Sequence, residues 1–263
     1  MSTRPHPAPD VRPEETAMTP GTHLAALTSS IAALAEERDV VSTLVETVAA
    51  CAEALGADVG VVVTEDPTAP PAGRLDLLAA SSHAEASLEL YQPQVDSGPC
   101  LDALTGDEDL SVVGAGAMRD RWPRLASALA RSGYHAAHAF VLRWRGTPFG
   151  VLNLYLPRAH PLTADERRSA RGFADIAAIA IVHAGDRPDL AAIAAAVRAT
   201  AEHRAPLEQA KGALRYLLGA DEGEAFRVLT EQARATRVPI TEVARATVDA
   251  VSAGRRPDWL PGR

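Results

Sequence analysis

The chain has 263 residues, 47% of them hydrophobic, with a formal net charge of −8; that length holds one or two cores, and two domains is the better reading. No apolar run approaches the roughly 18–20 residues of a membrane span, the start has no signal-peptide pattern, and Cys51 and Cys100 are too few for a disulfide framework, so a cytoplasmic protein with free thiols is expected. Residues 1–185 hold 14 Arg against 23 acidic residues, whereas 186–263 hold 12 Lys and Arg against 11, so any nucleic-acid contact has to come from a local patch in the second part.

Residues 1–22 are rich in Pro, Thr and charge, lack the apolar content that offsets ordering entropy, and read as a disordered leader, with Met18 a second candidate start. From 23 to 55, Leu24, Leu27, Ile31 and Leu34, then Val41, Leu44, Val45, Val48 and Leu55 recur at helical spacing, with Asp39 as an interruption and Gly56 as the stop. The β-branched run 59–64 predicts a strand, and 75–81 its partner across the Pro-rich loop 67–73. A polar helix over 84–91 leads into a loop over 92–99, and an amphipathic helix is expected over 122–131, closed by Gly133. Residues 136–144 and 149–156 are strong strands around Arg145-Gly146-Thr147-Pro148, a hairpin signal. Thr163 with Glu166 forms a capping box that opens a helix to about His183. This order predicts the α+β class, an antiparallel sheet with packed helices over 23–185.

Gly185-Asp186-Arg187-Pro188 marks a boundary, beyond which the pattern is all helical. Leu190, Ile193, Val197 and Ala201 form a narrow stripe on a linker helix over 186–205, and Pro206, lacking an amide donor, kinks or restarts it. Residues 206–254 predict a small all-α three-helix bundle, with 255–263 a tail. Its first helix ends at Gly219, its second is capped by Asp221 and Glu224 with Phe226 and Leu229 inward, and its third follows Pro239 with Ile240, Val243, Ala244, Val248 and Val251 inward. A bundle of about 50 residues is marginal alone, which suggests a partner subunit.

Lys211 is the only lysine in the chain. Either it persists by chance on a solvated face, or it occupies a site where a compact point charge does what a planar guanidinium cannot. On an ideal helix Arg204, Glu208, Lys211 and Arg215 share a stripe while Leu207, Leu214 and Leu218 face inward. Ala210 and Gly212 flank the cation with almost no side chain. A glycine inside a helix costs about 1 kcal/mol relative to alanine, which suggests close approach by a phosphate backbone or an unstacked base. Arg227, Arg234, Arg237 and Arg245 fall on the outer faces of the other two helices and the loop between them. The competing reading is a solvated face laced with pairs such as Arg227–Glu231.

The run Leu207-Glu208-Gln209-Ala210-Lys211-Gly212-Ala213-Leu214, then Glu224-Ala225-Phe226-Arg227-Val228-Leu229 and Glu242-Val243-Ala244, closely resembles the ANTAR domain over roughly 190–251. The resemblance implies a three-helix RNA-binding module of bacterial transcription antiterminators. Such a module grips paired hairpins with six-base loops in an mRNA leader, so that polymerase reads past a terminator, and it dimerises through the helix before the bundle. The RNA-binding residues implied are Arg204, Gln209, Ala210, Lys211, Gly212, Arg215, Arg234, Arg237 and Arg245. Two features depart from the family: Pro206 falls where its helix is continuous, and the loop Thr236-Arg237-Val238 is less basic.

Residues 36–184 resemble a GAF domain of the actinobacterial type that precedes ANTAR modules. The resemblance rests on Asp96-Ser97-Gly98-Pro99-Cys100-Leu101-Asp102, Arg121-Trp122-Pro123 and the run from Gly146 through Tyr155. It implies a GAF-like antiparallel sheet with packed helices and a pocket for a small-molecule ligand whose identity and contact residues stay unassigned. The stretch from Leu110 to Gly116 lacks the Asp-Leu pair the family places before its Arg-Trp-Pro turn.

Cys100 is a redox thiol if a helix N-terminus lowers its pKa, and otherwise a small buried residue. His135 and His138 have no further Cys or His to complete a coordination sphere, so no metal is expected; Trp122, Trp144 and Cys51 read as core. A sulfoxide reductase would need a second thiol near Cys100 to resolve its sulfenate, and no Gly-rich phosphate loop is present. The expected function is a signal-responsive, RNA-binding antitermination regulator: cytoplasmic, homodimeric, not an enzyme, and without cofactor. The alternative is a non-enzymatic adaptor whose RNA-binding bundle is degenerate.

Overall fold

Asp39 divides the first helical stretch in two. Helix α1 spans Pro20–Ala35 and α2 spans Val40–Leu55. Asp39 caps α2, accepting the Ser42 amide at 3.1 Å and the Ser42 hydroxyl at 2.7 Å, and Gly56 closes it in the left-handed region at φ +56°. The computed structural model describes residues 20–35, 39–64, 75–183 and 205–260. The expected Pro-rich loop, the 190–201 stripe and Arg204 lie outside these residues, as does most of the leader, although α1 already begins at Pro20.

Strands β1 (Asp58–Thr64), β2 (Leu75–Ala80), β3 (Leu110–Val113), β4 (Ala136–Trp144) and β5 (Thr147–Leu156) form one sheet in the order β2-β1-β5-β4-β3, every neighbouring pair antiparallel. The β4–β5 hairpin turns at Arg145 and Gly146, both with positive φ (49° and 86°), as a tight primed turn requires. Alternation sorts the side chains. Val59, Val61, Val63, Phe140, Leu142, Leu152, Leu154 and Leu156 share one core cluster with residues of α2 and of helix α7 (Ala164–Val182). The opposite face, carrying Gly60, Ala139, Val141, Asn153 and Tyr155, is covered by α3 (His83–Val95) and α4 (Pro99–Gly106). A sheet covered on both sides explains why β5 is buried along nearly its whole length.

Two expectations are corrected on that second face, and elements that were not expected appear there. The loop expected over 92–99 is helical for its first part, because α3 runs to Val95, and α4 starts at Pro99, a first-turn position that suits a residue lacking an amide donor. The helix expected over 122–131 is only its second half, α6 (Ala126–Arg131); the fully buried Trp122 ends a separate short helix before it, α5 (Ala115–Arg121), which was not expected. Residues 110–113, given no element in advance, are the edge strand β3.

The capping box at Thr163 forms as predicted. Among the described residues three helices follow: α8, helical over 205–218, α9 (Glu222–Thr236) and α10 (Ile240–Ser252). Leu207, Ala210, Leu214, Ala225, Leu229, Ile240, Val243 and Ala244 are buried between them, in a core continuous with that of α2 and α7. Residues expected to be a tail fold back, with the Arg255 amide on the Ala250 carbonyl and Leu260 buried.

Candidate nucleic-acid interface and sensor core

The inward stripe of α8 is Leu207, Ala210 and Leu214, and i,i+4 geometry places Lys211 at its border rather than opposite it. Only 11% of the Lys211 side chain is exposed; its ammonium donates to Glu208 Oε2 at 2.9 Å and lies 6.0 Å from the centre of the Phe226 ring. The lone lysine thus sits in a slot of the bundle, its stem packed and its charge already paired. Ala210 is fully buried, which corrects its assignment to an RNA contact: its methyl group belongs to the core. The outer face of α8 presents Gln209, Gly212, Arg215 and Tyr216, all exposed, and Tyr216 is 86% accessible. A Cβ added at Gly212 would meet no atom within 4 Å, so nothing inside the protein demands glycine there. Tyr216 went unnoticed in the sequence, although it stands one turn after Gly212 on the polar side of an amphipathic helix.

The remaining arginines fall into separate groups. Arg227 is paired with Glu231 at 3.0 Å and Glu224 at 3.6 Å, a solvated ion-paired face. Arg245 is exposed on α10. Arg234, near the far end of α9, and Arg237, its C-cap, lie about 12 Å and about 16 Å along the helix from Phe226 by its rise per residue. They line a cleft of about 440 Å³ with Glu46 and Glu53 of α2, walled by alanines of α1, α2 and α9. The eight implied residues that the structure describes therefore do not form one patch. Arg237 also closes α9 with φ +58°, a conformation that strains any residue but glycine. Arg237→Gly will raise bundle stability by about 1 kcal/mol, read from denaturant midpoints; a loss of stability would show that the guanidinium holds the corner together.

The sensor carries a buried polar network on its α3/α4 face. Glu85, Glu89 and Gln92 recur at i, i+4 and i+7 along α3 and all point inward, at 0%, 1% and 0% exposure. Glu89 accepts Asn153 Nδ2 at 2.8 Å and Gln92 Nε2 at 2.6 Å, and Gln92 also donates to the Tyr155 hydroxyl at 3.0 Å. Gln92 Oε1 accepts the Cys100 amide at 3.1 Å and its thiol at 2.9 Å. Two glycines make room: a Cβ on Gly60 would collide with Glu85, and one on Gly98, whose φ is +155°, with Gln92. Burial raises the Glu89 carboxyl to about 7, opposed by the hydrogen bonds it accepts. Burial, then the Glu89 charge, pushes the Cys100 thiol well above its ordinary value, so of the two readings of Cys100 the structure supports the inert buried one. The polar helix expected over 84–91 stops short of Gln92 and so misses the i, i+4, i+7 stripe; the spacing of Glu85, Glu89 and Gln92 is the signal that shows it.

His138 is buried, hydrogen-bonded to Ser111 at 2.8 Å, and held neutral by burial, which lowers it to about 4; His135 is exposed. Among the described residues no group of three or more His, Cys, Asp or Glu could hold a metal ion, and no helix is long and apolar enough to cross a membrane.

The family model for the GAF domain matches residues 39–181, and that for the ANTAR domain matches 195–248. Among solved structures, the GAF domain of a phosphoenolpyruvate-protein phosphotransferase from Coxiella burnetii is 17% identical, covering 63% of this chain and 95% of that one at a TM-score of 0.50. The GAF domain of the Acinetobacter phosphoenolpyruvate-protein phosphotransferase is 15% identical, covering 61% and 93% at 0.48. The free methionine-R-sulfoxide reductase from Neisseria meningitidis, solved with its substrate, is 17% identical, covering 61% and 89% at 0.44. At such identities the likeness is one of fold. No curated protein matches the chain. Neither domain type is catalytic; one is sensory and the other regulatory. The first model spans more than half of the 263 residues, so the chain belongs to the GAF domain family, and with an ANTAR domain, a known RNA-binding antitermination module, on its C-terminal side it is a regulator that carries its own sensor.

Proposed function

We propose that this chain is a signal-responsive antitermination regulator that binds paired hairpins of nascent mRNA through the outer face of α8. It acts in the cytoplasm as a homodimer and catalyses no reaction. The observation that carries this reading is the notch at Gly212, open to solvent and bordered by Gln209, Arg215 and Tyr216. A guanidinium for phosphate, an amide for a base edge and a ring for stacking are what a splayed RNA loop engages. Lys211 stands at the border of this face with 11% of its side chain exposed, and Arg245 adds long-range attraction. In the sensor, a small molecule acting on the α3/α4 face shifts the population between arrangements by its differential affinity for them.

Gel shifts of the full chain with a synthetic RNA of two hairpins, each with a six-base loop, test the proposal. Arg215→Ala will weaken binding and flatten the slope of log affinity against log salt by about 0.7–0.9, the loss of one phosphate contact. A second reading, a GAF adaptor whose bundle no longer grips RNA, draws on the pairing of Lys211 with Glu208. No shift at any salt concentration would favour it.

A further inference from the structure

We propose that α2 of the sensor is a docking surface for the α9–α10 corner of the bundle, and that docking withholds Arg234 and Arg237 from RNA. This rests on the RNA-binding reading and adds its regulation. Asp39, the cap of α2, receives a second hydroxyl besides that of Ser42: Thr241, in the first turn of α10, donates to the same Oδ2 at 2.9 Å. The Ser42 and Thr241 hydroxyl oxygens lie 3.4 Å apart, and both residues are buried, at 0% and 5% exposure. Asp39 itself is exposed and its two hydroxyl contacts are half-buried, while the Ser42–Thr241 pair behind them is buried. This polar cluster, joining segments some two hundred residues apart, ties the bundle to the end of a sensor helix. Beside it, Arg234 and Arg237 face the cleft that Glu46 and Glu53 line from the α2 side. Phosphates entering there would meet two carboxylates, which repel them and compete for the guanidiniums. RNA at these arginines and α2 at this corner are therefore alternatives. Since Asp39 opens the helix whose Val41, Leu44, Val45 and Val48 pack in the sensor core, a rearrangement of that core is transmitted directly to the contact.

The full chain bearing Ser42→Cys and Thr241→Cys decides the matter, because hydroxyls this close place a disulfide within reach, and the native Cys51 and Cys100 are both buried. Oxidised, the chain will bind the two-hairpin RNA roughly tenfold more weakly than when reduced, within the usual range of coupling between sites, and thiol reductant will restore it. As the opposite perturbation, Glu46→Arg with Glu53→Arg will tighten binding at matched salt. Equal affinity of the oxidised and reduced forms, or failure of the disulfide to form, overturns the docking proposal while leaving the RNA reading intact. Absence of binding by the reduced and wild-type chains alike overturns the RNA reading, and this inference with it.

Discussion

Glu89→Gln will stabilise the sensor by about 2 kcal/mol at pH 8 and destabilise it by about 1 kcal/mol at pH 4, so the variant's stability will be the flatter of the two with pH. The folded carboxyl titrates near 7 because burial penalises its charge, whereas its ordinary value is 4.5. Between those values the native state holds a proton that the unfolded chain has released, so wild-type stability falls as pH rises through the window. Below it both states are protonated and nothing is lost; above it both are ionised and the cost is complete. A shift of this size corresponds to about 3 kcal/mol. Glutamine keeps one acceptor for Asn153 or Gln92 but not both, and one imperfect hydrogen bond gives back about 1 kcal/mol. Denaturant unfolding followed by tryptophan fluorescence at pH 4, 6 and 8 reads the difference. Parallel stability curves for wild type and variant would show that Glu89 is not the group held neutral. The same titration makes the α3/α4 face sensitive to any positive charge or hydrogen-bond donor brought against it, because such a group recovers the penalty that burial imposes.

What the sequence made legible divides along physical lines. β4, β5, α7 and the three bundle helices announced themselves because apolar period, cap and turn residue agree: Thr163 with Glu166, Gly146 in the hairpin, Asp221 before α9. The break at Asp39 was equally local. The second face of the sheet was hidden because the residues that bury it contradict their chemistry. Nothing local marks Glu85 and Glu89 as buried; β5 supplies Asn153 and Tyr155 across from them, and that pairing spans some sixty residues. Ala210 and Lys211 were misjudged for a related reason. A helical wheel built on α8 alone gives directions but no partner, and Phe226 of the next helix is what turns the border position inward. Arg234 is exposed on α9 and Arg237 just beyond its end; the sensor helix standing opposite follows only from the assembled chain.

Lys211→Met will lower affinity for the two-hairpin RNA by tenfold or more, about 1.4 kcal/mol, while costing the bundle no more than about 1 kcal/mol. Methionine retains the packed stem and removes only the charge. Within the protein that charge pairs with the partly exposed Glu208 and stands at the outer limit of attraction to the Phe226 ring, and the RNA reading assigns it a phosphate contact as well. Lys211→Arg will not rescue binding, since the planar fork is wider than a slot bounded by Phe226 and the buried helix interface. Gly212→Ala is the companion experiment. The added methyl group meets nothing in the protein, so the helix will gain up to about 1 kcal/mol, yet the backbone will lose its close approach to RNA. Greater stability with weaker binding in one variant cannot arise from damage to the fold. If both Lys211→Met and Gly212→Ala bind as tightly as wild type at matched salt, the notch is no RNA site, and the lysine is there to hold α8 against α9.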